Sequence, residues 1–257
     1  HRTYMTHKTY MTYKQHIDNY LKKHGFEALR LKAVLFDMDG VCYDSMPNHV
    51  VAWHDSMAHF GLQMTTADAY ATEGARGIDT VREMMKRQKG EIISLQRAQE
   101  MYDLKSQIFH SMTPPPVMPG IPRLMAQIHH CGLQIGIVTG SGQRPLIARL
   151  MKDFGQYLDE GHIVTAYDVE RGKPAPDPYL AGLKKMGRLQ PWQALVVENA
   201  PLGVQAGVAA RIFTIAVNTG PLPDQLLADS GANIIFSRMT DLSEQWGELY
   251  QSSSSMS

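Results

Sequence analysis

Six short apolar runs constrain this chain more than any other feature: KAVLFD (32–37), LQIGIVT (133–139), HIVTA (162–166), ALVVE (194–198), IFTIAV (212–217) and NIIF (233–236). They are β-branched and continuous rather than alternating, the pattern of strands buried on both faces of a parallel sheet. The stretches between them, at 121–130, 145–154, 178–186 and 202–210, carry helical periodicity. Strand followed by helix, repeated, predicts a doubly wound, Rossmann-like α/β core.

One interval breaks the rhythm. Residues 47–113 hold no strand pattern but three helical stretches, 48–60, 78–88 and 92–111, which predicts an α-helical cap domain inserted into the core. The chain returns through TPPPVMPGIP (113–122), whose five prolines stiffen it and end the preceding helix. Linkers at 43–48 and 113–118 then form a hinge. The expected division is an N-terminal extension (1–30), a core (31–46 and 114–250), a cap (47–113) and a disordered Ser-rich tail (251–257). The extension is read as a loose tail and an appended helix over 12–24, with Tyr13, Ile17, Tyr20 and Leu21 at helical spacing; His1, His7, His16 and His24 share no face and are read as solvated.

Charge bounds the partners. Twenty-five basic side chains balance twenty-five acidic ones, so nothing favours a nucleic-acid surface. No run is long and apolar enough to span a bilayer, and no secretory signal precedes the first motif. Cys42 and Cys131 are too few for a disulfide framework, so a reducing, cytoplasmic setting and a monomer are the expectations. The sequence begins at His1 rather than Met, so a preceding segment is also expected.

Chemistry gathers at strand ends, where open α/β sheets place ligands. The first run ends in LFDMDGV, setting Asp37 and Asp39 two residues apart before Gly40; an Asp-Gly pair also suits an ordinary turn. The second ends in VTGSG (138–142), where Thr139, Ser141 and the backbone around Gly140 offer donors to a phosphate. RGKPAPDPY (171–179) holds Lys173 on a proline-braced loop, which is equally a place for a surface lysine. The fourth ends in VVENAPLGVQAG (196–207), with Glu198 and Asn199 presenting oxygens to a hard cation such as Mg²⁺.

In order and over residues 31–245, these four segments resemble the haloacid dehalogenase (HAD) superfamily of phosphotransferases. The resemblance implies Asp37 as nucleophile, Asp39 as general acid/base, Thr139, Gly140 and Ser141 as phosphate contacts and Lys173 as neutralising cation. It implies Mg²⁺ held by Asp37, Asp39, Glu198 and Asn199, with Asp39 offering its backbone carbonyl. The insert and SMPNHVVAW (45–53) resemble the β-phosphoglucomutase-like branch, in which His49 matches a histidine that orients the acid/base aspartate.

Two departures shape the substrate. In the cap loop TEGARGIDTV (72–81), Gly77 stands where the mutases carry a phosphate-binding arginine and Arg76 precedes it; the cap lysine is expected to be missing, with Met101 near its place and Lys105 a turn further. The fourth motif has Asn199 in place of a second carboxylate, while Glu73 brings a carboxylate to the cap loop. Glu73 either caps the next helix, points to solvent, or meets a metal ion carried by the substrate, as in HAD-type inorganic pyrophosphatases. The expectation is a Mg²⁺-dependent phosphohydrolase on a small phosphorylated substrate, pyrophosphate favoured; β-phosphoglucomutase is the alternative, and an inactive phosphate-binding protein the third reading. Asp37, Asp39 and Glu198 would balance Lys173 and one Mg²⁺. Trp53 is read as site lining or cap core, Cys42 as a small buried residue or a redox thiol, and the methionines as adaptable packing.

Overall fold

The computed structural model describes residues 11–141 and 144–254; His1, His7, Gly142 and the last three residues of the tail lie outside them. Six parallel strands, β1 (Ala33–Phe36), β2 (Gln134–Val138), β3 (Ile163–Val164), β4 (Ala194–Glu198), β5 (Phe213–Val217) and β6 (Ile234–Phe236), form one sheet in the order β3-β2-β1-β4-β5-β6. Alternate residues of β1 serve the two faces: Val34 and Phe36 join one core cluster, Ala33 and Leu35 the other. A strand with two buried faces must be apolar throughout, which is why the runs do not alternate. The first face is covered by α1 (Tyr13–His24), α6 (Ile121–His130), α7 (Arg144–Phe154) and α11 (Met239–Ser254), the second by α8 (Asp177–Lys185) and α9 (Pro201–Ala209); α10 (Asp224–Asp229) packs beside β6.

The strand order reverses at β1, with β2 on one side and β4 on the other. Crossovers leave in opposite directions there, opening a crevice at the carboxyl ends of β1, β2 and β4. Leu35 pairs with Gly136 and Val196, and Phe36 with Ile137 and Val197, so the residues that follow these strands emerge level with one another.

Between β1 and α6 the chain builds α2 (Met46–His59), α3 (Thr66–Ala71), α4 (Gly77–Lys89) and α5 (Leu95–Ser111). They have their own core, in which Met57, Met64, Met84, Met85 and Met101 pack around Trp53. The two linkers to this unit run side by side: Asp44 N donates to Pro116 O at 3.0 Å and Met118 N to Cys42 O at 2.9 Å. Helix α7 clamps both, Tyr43 donating to Asp153 at 2.9 Å and Arg149 to the Pro115 carbonyl.

Four expectations need correction. Helix α1 is not merely appended: Ile17 and Tyr20 are buried in the main core, and Tyr20 donates to Arg211 O at 2.9 Å. The tail is helical as far as Ser254, extending α11. The third run makes only a two-residue strand, because Thr165 caps a 3-10 turn in which Asp168 accepts from Thr165 N at 2.7 Å. Helix α3 carries a reciprocal Thr65–Asp68 capping box but only one buried residue, Ala69, so no apolar stripe announced it.

Candidate active site

Asp37 follows β1 directly, its N–H continuing the ladder to Val197 O at 3.0 Å. Lys173 Nζ lies 2.5 Å from Asp37 Oδ1 and 2.6 Å from Glu198 Oε1, and donates to Val138 O at 3.1 Å. The loop 171–176 thus places one ammonium against the ends of three strands. Burial acts against that charge, but Asp37 and Glu198 outweigh it and keep Lys173 protonated. Burial, reinforced by Glu198 and Asp39, pushes Asp37 up to about 8 despite Lys173.

Glu198, expected on the metal side, is committed to protein partners. Its Oε1 accepts from Lys173 and, at 2.6 Å, from Tyr179; its Oε2 accepts from Asn199 N at 3.1 Å. Gly203 in α9 makes this possible, because a Cβ there would sit 1.9 Å from Glu198 Oε1. Two other buried oxygens have no partner among the described residues: Asp37 Oδ2 and Asn199 Oδ1. No group of three His, Cys, Asp or Glu side chains there is gathered for a metal. A carboxylate, an amide oxygen and the nearby Asp39 carbonyl nevertheless form a hard-oxygen donor set that fits Mg²⁺. Gly40, with φ of 78°, lets Asn199 approach; a Cβ there would lie 2.0 Å from Asn199 Nδ2.

Asp39 meets the cap. Ser45 donates to Asp39 Oδ1 at 2.6 Å, and His49 Nε2 lies 3.0 Å from the same oxygen, close enough for an ion pair but out of hydrogen-bond alignment. Lys105 Nζ is 2.6 Å from His49 Nδ1; an ammonium only donates, so Nδ1 accepts and Nε2 carries the imidazole hydrogen. Burial, then Lys105, hold the His49 pKa below its ordinary value. Burial would raise Asp39, but His49, Ser45 and Lys105 together hold it low and ionised. Lys105 itself is brought down to about 8 by burial, against Glu73 and Asp39.

Lys105 is therefore the cap cation expected to be absent, and Met101 belongs to the cap core. Three rings surround the ammonium: Trp53 at 5.0 Å, Tyr102 at 5.8 Å and Phe109 at 5.0 Å, with Phe109 also stacked 4.3 Å from His49. Trp53 serves both of its expected roles, lining the cavity and filling the cap core. Ser45, Lys105, Tyr102 and Tyr179 were not singled out from sequence as site residues. Only Lys105 left a signal there, as a charge on a helix whose neighbours one turn away are apolar.

The cap loop lies on the core. Gly140 is so close that a Cβ would come 3.0 Å from the carbonyl oxygens of Gly74 and Ala75. Thr139 Oγ1 accepts from Ser141 N at 3.1 Å, leaving its O–H free to donate toward the cavity mouth, which Gly140 and Ser141 line. Glu73 lines the same cavity; burial, then Asp39 and Asp37, push its carboxyl well above the usual range. Arg76 does not line it. Its guanidinium is held by Asp79 in the first turn of α4, Nε to Oδ2 at 2.7 Å, and its side-chain stem rests on Gly172. Cys42 is buried, its thiol 3.3 Å from Asp37 O and its pKa pushed up, so it serves as a small buried residue.

Residues 34–217 match the model of the haloacid dehalogenase-like hydrolases. The chain belongs to that family. Among HAD relatives it is 34% identical to hexitol phosphatase A of Escherichia coli over 190 residues, 74% of this chain and 84% of that protein. It is 26% identical to β-phosphoglucomutase of Bacillus subtilis over 235 residues, 84% and 96% of the two. A solved HAD structure from Bacteroides vulgatus, provisionally described as a β-phosphoglucomutase, superposes with a TM-score of 0.91 at 45% identity, covering 95% of this chain and 98% of that one. The sheet order and the helical insertion after β1 are the HAD core with its cap. This is a HAD-type phosphohydrolase or phosphotransferase of the kind that acts on small phosphorylated substrates.

Proposed function

We propose that the chain is a Mg²⁺-dependent phosphohydrolase acting through an aspartyl phosphate, with inorganic pyrophosphate, carried as its Mg²⁺ complex, as the favoured substrate. Asp37, Asn199 and the Asp39 carbonyl would hold the resident ion, which supplies charge neutralisation at the phosphoryl oxygens. Lys173 offsets the repulsion between Asp37 and a phosphate dianion, and Glu198 with Tyr179 fixes Lys173 in place. Asp37 attacks phosphorus while Thr139 and Ser141 hold the transferring group. Asp39, ionised and steadied by Ser45 and His49, then takes the proton of the water that cleaves the aspartyl phosphate.

The observation that carries the substrate choice is Glu73 in the cavity. Glu73 faces Asp37 and Asp39 with Lys105 as the cap cation opposite, so four carboxylates, Glu198 included, surround two ammonium groups. Each added cation relieves that excess, which suits a substrate that arrives with its own metal. An ionised Asp39 also suits a leaving group that departs as an anion, as phosphate does, better than one that needs a proton, as a sugar alkoxide does. A Glu73→Gln variant is expected to lose roughly 10²-fold in kcat/KM on pyrophosphate, with hydrolysis of simple phosphate esters nearly unchanged. Equal losses on both, or none, would reject the role.

β-Phosphoglucomutase is the second reading, favoured by Lys105 in the cavity and by kinship with the Bacillus subtilis enzyme. An inactive phosphate-binding protein is disfavoured because Asp37, Asp39, Thr139 and Lys173 are all present and Lys173 bridges Asp37 to Glu198.

A further inference from the structure

The cavity between cap and core is small, about 60 Å³. At about 10–15 Å³ for each water accommodated, that is room for roughly four to six waters. Its far wall is Tyr102, and the ring is fixed from several directions. A Cβ on Gly77 would lie 1.9 to 2.4 Å from three carbons of the Tyr102 ring, so the ring occupies the volume that any side chain at position 77 would take. Trp53 packs against it with ring centroids 5.9 Å apart, and the Ser106 hydroxyl hydrogen-bonds its phenol oxygen. Gly77 opens α4 and Tyr102 stands in α5, so the contact also sets the distance between these two cap helices.

We propose that Tyr102, seated on Gly77, sets the upper size of the leaving group: the phenol ring closes the part of the cavity beyond Glu73 and Lys105, so groups of a few heavy atoms fit and a hexose does not. The ring gives shape more than chemistry. Its phenol is kept neutral, pushed up to about 12 by burial, and turned to Ser106 rather than toward Asp39. Rigid aromatic walls discriminate by exclusion, and one badly placed methylene in a tight pocket already changes selectivity about 10-fold or more.

The inference rests on the phosphohydrolase reading but not on the choice of pyrophosphate. Its test uses acetyl phosphate, glycerol phosphate and a hexose 6-phosphate, with Mg²⁺ present. In Tyr102→Ala and Tyr102→Leu the ratio of kcat/KM for the hexose ester to that for acetyl phosphate is expected to rise at least about 10-fold. Tyr102→Phe, which keeps the ring, is expected to hold the parent ratio. Simple loss of cap stability would lower all three substrates together and leave the ratio unmoved. For esters turned over too slowly to follow, Kd on an Asp37→Asn background carries the same comparison. An unchanged ratio in Tyr102→Leu overturns the proposal even where the alanine variant fails to fold, and so does a parent enzyme that prefers the hexose ester. Absence of pyrophosphate turnover would defeat the substrate choice while leaving this series readable.

Discussion

At the scale of single residues, the site is a set of charges held out of balance. Lys173 is shared by Asp37 and Glu198, while Lys105 reaches Asp39 only through His49. Lys105 gives a pH dependence whose sign follows from its environment. Burial lowers its pKa to about 8, so its charge is present below that pH and lost above it. With Mg²⁺ saturating, kcat/KM is expected to fall on the alkaline side of about 8, and Lys105→Arg to move that limb to higher pH. A limb unmoved by the substitution would show that another group controls it. The motif residues were legible because each ends a strand: Asp37, Thr139 and Glu198 take their places from the sheet register. Glu198 was placed correctly but its partners were not legible, since they depend on Lys173 and Tyr179, brought in from a loop and a helix far along the chain. Arg76 misled for a local reason: Asp79, three residues on, is a nearer partner than any substrate.

Among elements, the decisive contact is the cap loop 72–77 against the β2–α7 loop. Backbone meets backbone there, since the Gly74 and Ala75 carbonyls would stand 3.0 Å from a Cβ on Gly140. A Gly140→Ala variant is therefore expected to hold the cap a few tenths of an ångström away from the core. Displacement on that scale is expected to cost about 10-fold in kcat/KM, since an error of about 1 Å costs 10²-fold, with little change in melting temperature. Gly247→Ala, a helical position with open space around it, is the control and is expected to leave activity unchanged. Matching losses in both would mean that cap docking is not what Gly140 provides. Long, periodic elements such as α4 and α5 could be read from sequence to within a few residues. Helix α3 could not, because six residues with one buried side chain leave no stripe to detect, yet this helix delivers Glu73 to the cavity.

Over the whole molecule, the catalytic crevice depends on a core that extends beyond the residues matched by the family model. Helix α1 and helix α11 lie outside 34–217, and both pack against the sheet face opposite α8 and α9. Tyr20 joins α1 to this face through the edge of the Phe213 ring, 5.3 Å between centroids, and through its bond to Arg211 O. Tyr20→Ala is expected to cost about 3–5 kcal/mol of stability, read from the denaturant midpoint, with kcat/KM unchanged at temperatures where the variant stays folded. A shift below about 1 kcal/mol would mean that α1 is as peripheral as its polar sequence suggests. That sequence was misleading because only one narrow stripe, Ile17 and Tyr20, is buried. No described helix is long and apolar enough to cross a membrane, and the balanced charge of the chain matches a small-anion site better than a polyanion surface. The most direct test of the central claim is a side-by-side measurement, at saturating Mg²⁺, of phosphate release from pyrophosphate and hexose phosphates and of the conversion of β-glucose 1-phosphate to glucose 6-phosphate. The account expects the highest kcat/KM on pyrophosphate, lost in Asp37→Asn; efficient isomerisation with negligible hydrolysis would contradict it.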